Sequence, residues 1–319
     1  MRAKFTFRPR FWVTFGVLLV ATILLAGCAP TSAHTGRAAS KHAVLYRTFA
    51  TFPHTSVLAN AVYSRVDGID LRMDVCQPVL PRGHVVSARP AILVIHGGSW
   101  ELGDKSEPAW RGVCRWLASS GFVAASVDYR LSPKYPYPDG FTDVEHAVEW
   151  LREPAQVKRF SIDARKIGAF GGSAGGNLAA LLGTDGEGSR DAGHRVAAVV
   201  ELSGPANLTT DGPESAIIVE RQTAYLGCKR LAACPQARSA SPMFHADSTD
   251  PPFFIGNSSN ELIPIAQSTA FVRALQAAHV KVTFVEMPGD KHSISMLDPV
   301  LRAQILTFFH TTLVQHSPR

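Results

Sequence analysis

The chain has 319 residues, 46% hydrophobic and 18% charged, which excludes disorder over most of its length and permits a core large enough to fold without cysteine staples. Its formal charge of +6 is unevenly placed: residues 1–27 carry Arg2, Lys4, Arg8 and Arg10 and no acid, and subtracting these four leaves +2 for the remainder. The body of the chain thus gives no ground for a nucleic-acid partner, and the length fits one large α/β domain or two ordinary ones.

Residues 1–10 are basic, and Phe11 to Ala26 is an apolar run broken only by Thr14, Gly16 and Thr22. Such an order, ending in small residues, predicts an export signal over 1–27, and the run is short for a membrane span. Its end, Leu25-Ala26-Gly27-Cys28, resembles the bacterial lipobox. That resemblance implies a lipid on Cys28 and a mature protein held at the membrane of the bacterial envelope, with plain secretion or an uncleaved anchor, Cys28 then being incidental, as the other readings. Residues 28–43 show no apolar period and read as a flexible tether, leaving 44–319 as the folded domain.

With Cys28 set aside, Cys76, Cys114, Cys228 and Cys234 remain, and four cysteines allow three pairings. Cys228 and Cys234 flank a short loop and are the natural local pair, which leaves Cys76 for Cys114; an oxidising compartment permits both bridges, and four buried thiols are the alternative. No zinc-type spacing and no His-Glu-x-x-His occurs, so no catalytic metal is expected.

The body alternates strands and helices. Ala61–Ser64 and Leu71–Val75 flank Asp67-Gly68 and read as a hairpin. Buried strands follow at Ala91–Ile95, Phe122–Val127, Ile167–Phe170, Val196–Leu202, Phe253–Ile255 and Val282–Val285. Helical patterns lie at Trp110–Ser119, Asp143–Leu151, Ala174–Leu182, Ile265–Ala278 and Val300–Leu313. This alternation predicts an α/β fold with a mostly parallel sheet covered on both faces. Residues 205–250, bordered by prolines and holding a helical stretch at Ser215–Leu226, break the rhythm after the sixth strand. They read as a cap-like excursion at the C-terminal edge of the sheet, where open α/β folds bind ligands, or as a crossover with no binding role. Asp128 and Arg130 read as salt-bridge partners that brace loops. Asp143 and Glu145 read as acids at a helix start. Trp110, Trp116 and Trp150 read as core.

Two segments carry chemistry. Ile167-Gly168-Ala169-Phe170 runs into Gly171-Gly172-Ser173-Ala174-Gly175-Gly176 and then a helix. Gly-x-Ser-x-Gly in this strand–turn–helix setting is the nucleophile-elbow pattern, with Ser173 the nucleophile. The strand Ala91–Ile95 ends in His96-Gly97-Gly98-Ser99-Trp100. Backbone N–H groups of Gly97 and Gly98, with that of Ala174, suit an oxyanion hole. His96 shapes this loop rather than acting as base, and Trp100 is expected to line the substrate pocket.

Together with Asp128-Tyr129-Arg130-Leu131, these motifs resemble the α/β-hydrolase-fold esterases. The nearest groups are the bacterial hormone-sensitive-lipase-like esterases and the acetyl-xylan/feruloyl (BD-FAE-like) carboxylesterases, and the similarity runs from about residue 60 to the end. It implies an acid after the next-to-last strand and a histidine after the last. His292, in the loop after Val282–Val285, is the candidate base. The family usually places Asp about four residues before a proline here; counting back from Pro264 gives Asn260. The adjacent Glu261 carries the needed charge and is expected to be the third member, with Asn260 a neighbour in the site.

The resulting expectation is a serine carboxylesterase acting on small-to-medium esters through an acyl-enzyme on Ser173, with no cofactor, no nucleic acid and no obligate protein partner. A serine peptidase of the same fold and a non-catalytic binding protein are the alternatives.

Overall fold

Asp67 and Gly68 both take left-handed backbone conformations, φ 50° and 77°, as the primed hairpin turns require so that the strands they join keep their right-handed twist. They connect β1 (Thr55–Val66) to β2 (Ile69–Pro78), antiparallel, with Val66 opposite Ile69. The expected hairpin is present and extends further at both ends. The computed structural model describes residues 52–81, 83, 87–210 and 215–314; the export signal, Cys28 and the tether lie outside these residues.

After the hairpin the chain runs through β3 (Arg89–Ile95), α1 (Pro108–Ser119), β4 (Val123–Val127), α2 (Asp139–Arg152), α3 (Pro154–Phe160), β5 (Ile162–Gly172) and α4 (Ala174–Thr184). It continues through β6 (Ala198–Leu202), α5 (Ala216–Leu226), β7 (Phe253–Ser258), α6 (Ile265–Ala277), β8 (Val282–Met287) and α7 (Pro299–Phe309). The strands form one eight-stranded sheet in the order β1-β2-β4-β3-β5-β6-β7-β8. Pairing is antiparallel as far as β4 and parallel from there to β8.

Both faces are covered, which is why the central strands are continuous apolar runs rather than alternating ones. Leu93, Ile95, Ala125, Ala169, Val199 and Ile255 pack with Val148 of α2, Leu178 of α4 and Phe271 of α6. On the other face Ile92, Val94, Ala124, Phe170, Val200 and Phe254 pack with Val113 and Leu117 of α1 and Ile305 of α7. Trp110, Trp116 and Trp150 are in these cores, as expected. From β3 the chain crosses to β4 on one side, and from β5 it proceeds to the other side. The loops leaving β3 and β5 therefore diverge and open a crevice between them.

Several boundaries differ from the expectation. The strand expected at 167–170 begins at Ile162. The strand expected from 196 begins at Ala198. The last helix ends at Phe309 and passes into a π-helical turn over His310–Val314. α3 was not anticipated: it has seven residues, of which only Phe160 is buried, so it has no periodicity to read. α2 starts at Asp139, directly after Pro138, so Asp143 lies in its interior rather than at its start.

The ionic partners are also corrected. Asp128 and Arg130 do brace loops, but through other residues. Asp128 Oδ2 lies 3.4 Å from Lys105 Nζ. Arg130 grips the fully buried Asp143, Nε donating at 2.9 Å to Oδ2 and Nη2 at 2.8 Å to Oδ1, while its backbone N–H donates to Oδ2 at 2.8 Å. The disulfides are those expected: Cys76 with Cys114 ties β2 to α1, and Cys228 with Cys234 closes the loop after α5.

Removing the carboxylate of Asp143 leaves a backbone N–H unpaired and the buried guanidinium with Asp139, 3.2 Å from Nη1, as its remaining carboxylate. Asp143→Ala is expected to lower the unfolding free energy by about 3 kcal/mol, read as a fall in the urea midpoint at unchanged slope.

Candidate active site

β5 ends in Gly171-Gly172, α4 begins at Ala174, and Ser173 turns the chain between them with φ 56° and ψ −126°. A positive φ is costly for a residue with a side chain and persists only where the surroundings enforce it. Here they do. A Cβ at Gly171 would lie 2.0 Å from Gly175 O, and one at Gly175 would lie 2.2 Å from Ile95 O. Strand, turn, helix and the end of β3 thus meet with no room for side chains. Ser173 N–H donates to Leu202 O at 2.8 Å, tying the turn to the end of β6. The N-terminus of α4, at Ala174, favours negative charge beside Ser173.

The loop after β3 lies against this turn: a Cβ at Gly97 would be 3.2 Å from Ser173 Cβ and 2.8 Å from Gly172 O. Its conformation is set by His96, which is buried, stacks on Tyr129 at 4.4 Å and holds Gly97 O at 2.8 Å through Nδ1. A carbonyl offers no proton, so Nδ1 carries the hydrogen, and burial lowers the pKa of His96, keeping it neutral. The peptide is planar and trans, so fixing Gly97 O turns Gly98 N–H to the opposite side. Gly98, at φ 123°, turns its own carbonyl to the N–H groups of Glu101 and Leu102 at 3.0 and 2.9 Å. The loop is thereby locked with Gly97 beside the elbow, and His96 has the structural place expected of it.

Trp100 is 3% exposed and stacks on Tyr225 of α5 at 4.3 Å. Tyr225 O in turn accepts from Tyr137 N at 2.7 Å, and Arg221 of α5 ion-pairs with Glu101. The excursion over 205–250 therefore rests on the glycine loop, at the same edge of the sheet as Ser173.

His292 follows β8, and its Nδ1 is hydrogen-bonded to Glu261 Oε2. With Nδ1–H committed to the carboxylate, Nε2 is the nitrogen left to accept a proton. The Glu261 side chain is fully buried and that of His292 is 27% exposed. Asn260 is exposed, its backbone N–H donating to Gly289 O at 2.9 Å. The structure thus places Glu261 rather than Asn260 against His292. The His292 loop abuts the elbow: a Cβ at Gly172 would be 2.1 Å from Ser293 Oγ. Ser293 N–H donates to Ser203 Oγ at 2.9 Å, which anchors that loop to the residue after β6.

Sequence reasoning passed over Ser203, Ser293 and Glu201. The last is a fully buried acid on β6, visible in the sequence as a lone charge inside Val199-Val200-Glu201-Leu202. Among the described residues, Glu145, Asp185 and His194 have the composition of a cation site. His194 instead spans the two acids, Nδ1 at 3.5 Å from Glu145 and Nε2 at 3.3 Å from Asp185, and the bond to Asp185 raises its pKa. That is the arrangement of an imidazolium bridge. Asp185 caps the C-terminal end of α4, roughly 18 Å along the helix from Ser173 at 1.5 Å per residue. A cavity of about 1430 Å³ lined by Arg165, Lys166, Pro252, Lys281 and Phe308 lies at the N-terminal end of the strands, away from the elbow.

The chain is similar to known proteins. LipM of Mycobacterium tuberculosis, a probable carboxylic ester hydrolase, is 28% identical over 79% of this chain and 59% of its own length. Esterase LipC of the same organism is 31% identical over 66% of this chain and 54% of its own. The chain thus spans little more than half the length of these relatives. Among solved structures, esterase B from Lactobacillus rhamnosis matches with a TM-score of 0.71 at 20% identity, over 87% of this chain and 92% of that one. The esterase Est2 of Thermogutta terrifontis matches at 0.65 and 24% identity, over 84% and 95%. At such identities the structures establish the fold, which is that of the α/β-hydrolases. The BD-FAE family model matches residues 77–275, more than half of the chain and inclusive of both glycine motifs, and the chain belongs to that family.

Proposed function

We propose that this chain is an exported, lipid-anchored serine carboxylesterase acting on small-to-medium carboxylic esters. The observation that carries the reading is the pairing of His292 Nδ1 with the buried carboxylate of Glu261 beside the strained turn at Ser173. The ester-hydrolase names of the relatives support it.

In this reading Ser173 Oγ attacks the ester carbonyl as its proton passes to His292 Nε2. Glu261 holds the imidazole in the required tautomer and stabilises the imidazolium that forms. The N–H groups of Gly97, Gly98 and Ala174 receive the oxyanion, in a place where they need no reorganisation. The imidazolium returns its proton to the alkoxide as the alcohol leaves, and the acyl group remains on Ser173. Water, deprotonated by His292, then attacks the acyl-enzyme, and Ser173 regains its proton as the acid departs. This chemistry needs no cofactor. Trp100, beneath the excursion, bounds the substrate space on the side of the glycine loop. Export and lipidation at Cys28 rest on the basic, apolar and Leu-Ala-Gly-Cys order of the N-terminus.

Ser173→Ala is expected to lower kcat on p-nitrophenyl butyrate by about 10⁴-fold or more. An organophosphorus probe is expected to label the wild type stoichiometrically and that variant not at all. Esters left untouched by the wild type would favour a binding protein, and preferential cleavage of peptide p-nitroanilides a peptidase. Glu261→Gln is expected to lower kcat by about 10³- to 10⁴-fold, because the amide orients the ring but cannot balance the imidazolium. Asn260→Ala, in an exposed residue, is expected to stay within about twofold. Full activity in Glu261→Gln would remove that residue from the mechanism. For the anchor, metabolic palmitate labelling of bacteria expressing the full chain is expected to mark the protein and to fail in Cys28→Ala.

A further inference from the structure

An acid within a strand covered on both faces is costly unless something holds it. Glu201 of β6 is such a residue, 1% exposed. Its Oε2 accepts from Gly204 N–H at 2.8 Å, and its Oε1 is buried with no hydrogen-bond partner. Glu261 is in the same condition: Oε2 holds His292, and Oε1 is buried without a partner. Each carboxyl group therefore has one oxygen satisfied and one left over. Ser203, two residues after Glu201, accepts from Ser293 N–H at 2.9 Å, and the preceding His292 is bonded to Glu261, so the fold brings both acids to the same strand ends, where the charge of Glu261 acts on Glu201. From α4 it is approached by backbone, since Gly204 packs on the peptide of Gly176 and Asn177, which brings no charge. Two neighbouring buried carboxyl groups do not both ionise, and one shared proton satisfies both free oxygens.

We infer that Glu201 is a positioning residue for the hydrolysis, its carboxylic O–H donating the hydrogen bond that Glu261 Oε1 lacks. The inference rests on the reading of Glu261 as the acid that orients His292. Glu261 is then clamped at both oxygens, by Glu201 on one side and by His292 on the other. A clamp has a purpose here. Glutamate has one more rotatable bond than the aspartate usual in this family, and freedom lost at the site must be offset by a contact. The proton stays on Glu201 throughout turnover, so Glu261 keeps the negative charge that the imidazolium requires.

Burial, and secondarily the charge of Glu261, push the Glu201 pKa up to about 8. Glu201 is therefore neutral at pH 7. Above about pH 8 it ionises, the donor is lost, and two carboxylates face each other. Stability carries the same signature. The folded protein holds a proton that the unfolded chain releases near the ordinary glutamate value, so this contribution falls as pH rises from there through about 8.

The test compares the wild-type full chain with Glu201→Leu, Glu201→Gln and Glu261→Gln in pH–rate profiles and thermal midpoints. Glu201→Leu, which fills the space without a donor, is expected to lose about tenfold in kcat at unchanged KM. Glu201→Gln keeps the shape and restores an N–H donor. It is expected to recover kcat to within about threefold, to lose the alkaline limb near pH 8, and to flatten the decline in thermal midpoint between about pH 5 and 8. Wild-type kcat in Glu201→Leu, or an alkaline limb that persists in Glu201→Gln, overturns the inference while a crippled Glu261→Gln leaves the triad reading intact. Full activity in Glu261→Gln overturns both.

Discussion

The turn at Ser173 closes only because the space between β5, α4 and the end of β3 is empty of side chains. With Gly175 O 2.0 Å from where a Cβ of Gly171 would lie, and Ile95 O 2.2 Å from that of Gly175, backbone packs directly on backbone. Much of the site follows from this contact. The end of β3 is drawn against the start of α4, so the glycine loop that continues from β3 must pass beside Ser173. The elbow's N–H reaches Leu202 O, so β6 is fixed in register with it. Ser203 then lies where its hydroxyl can hold the loop of His292. One close approach thereby aligns the ends of β3, β5 and β6, beside which the loops after β7 and β8 bring Glu261 and His292 together.

Sheet topology explains why these loops are available at all. The chain reverses direction across the sheet between β3 and β5, and the two connections leave the crevice open above adjacent strand ends. The excursion between β6 and β7 then crosses back over the glycine loop, where Trp100 and Tyr225 stack and Arg221 meets Glu101. That element buttresses the loop that carries Gly97 and Gly98, so changes in α5 would be felt there.

Much of this was legible from the sequence, for physical reasons that differ by element. Ala91–Ile95 and Phe253–Ile255 declare themselves because a strand buried on both faces must be apolar at every position. Asp67-Gly68 declares a hairpin because few residues tolerate two left-handed conformations in a row. The elbow and the glycine loop could be read because their geometry forbids side chains at fixed spacings. What failed to show depends on partners distant in sequence. Asp143 looks like a helix-start acid until Arg130, thirteen residues earlier, is seen to bury it. The choice between Asn260 and Glu261 turns on a backbone bond from Asn260 to Gly289, which leaves Asn260 in solvent and the glutamate inside. Glu201 was visible as a charge in an apolar strand, but Gly204 and Glu261, which give it meaning, come together only in the fold.

The distribution of buried charge follows the same logic. At the N-terminal end of the strands, ions are buried freely: Arg195 donates to the carbonyls of Asp185 and Thr249 at 2.8 and 3.0 Å, and Asp250 lies 3.7 Å away, its pKa raised by burial to about 7. At the opposite edge Arg130 and Asp143 form a compensated buried pair and Glu261 is held by His292, while the other groups that hold the loops beside Ser173 are neutral. Asn177 donates to Pro205 O and Ala240 O, Ser268 donates to Asn257 Oδ1, and Gln267 bridges the backbone of Ala206 and Asn207. A further uncompensated charge beside His292 would bias the imidazole toward one protonation state, whereas the proposed reaction needs it to gain and lose a proton in each cycle. Neutral hydrogen bonds can hold the loops without that bias. In such surroundings a second buried carboxyl beside Glu261 is compatible with the proposed turnover only while it keeps its proton, which ties the proposed role of Glu201 to the site and leaves Asp250, at the other ends of the strands, outside it.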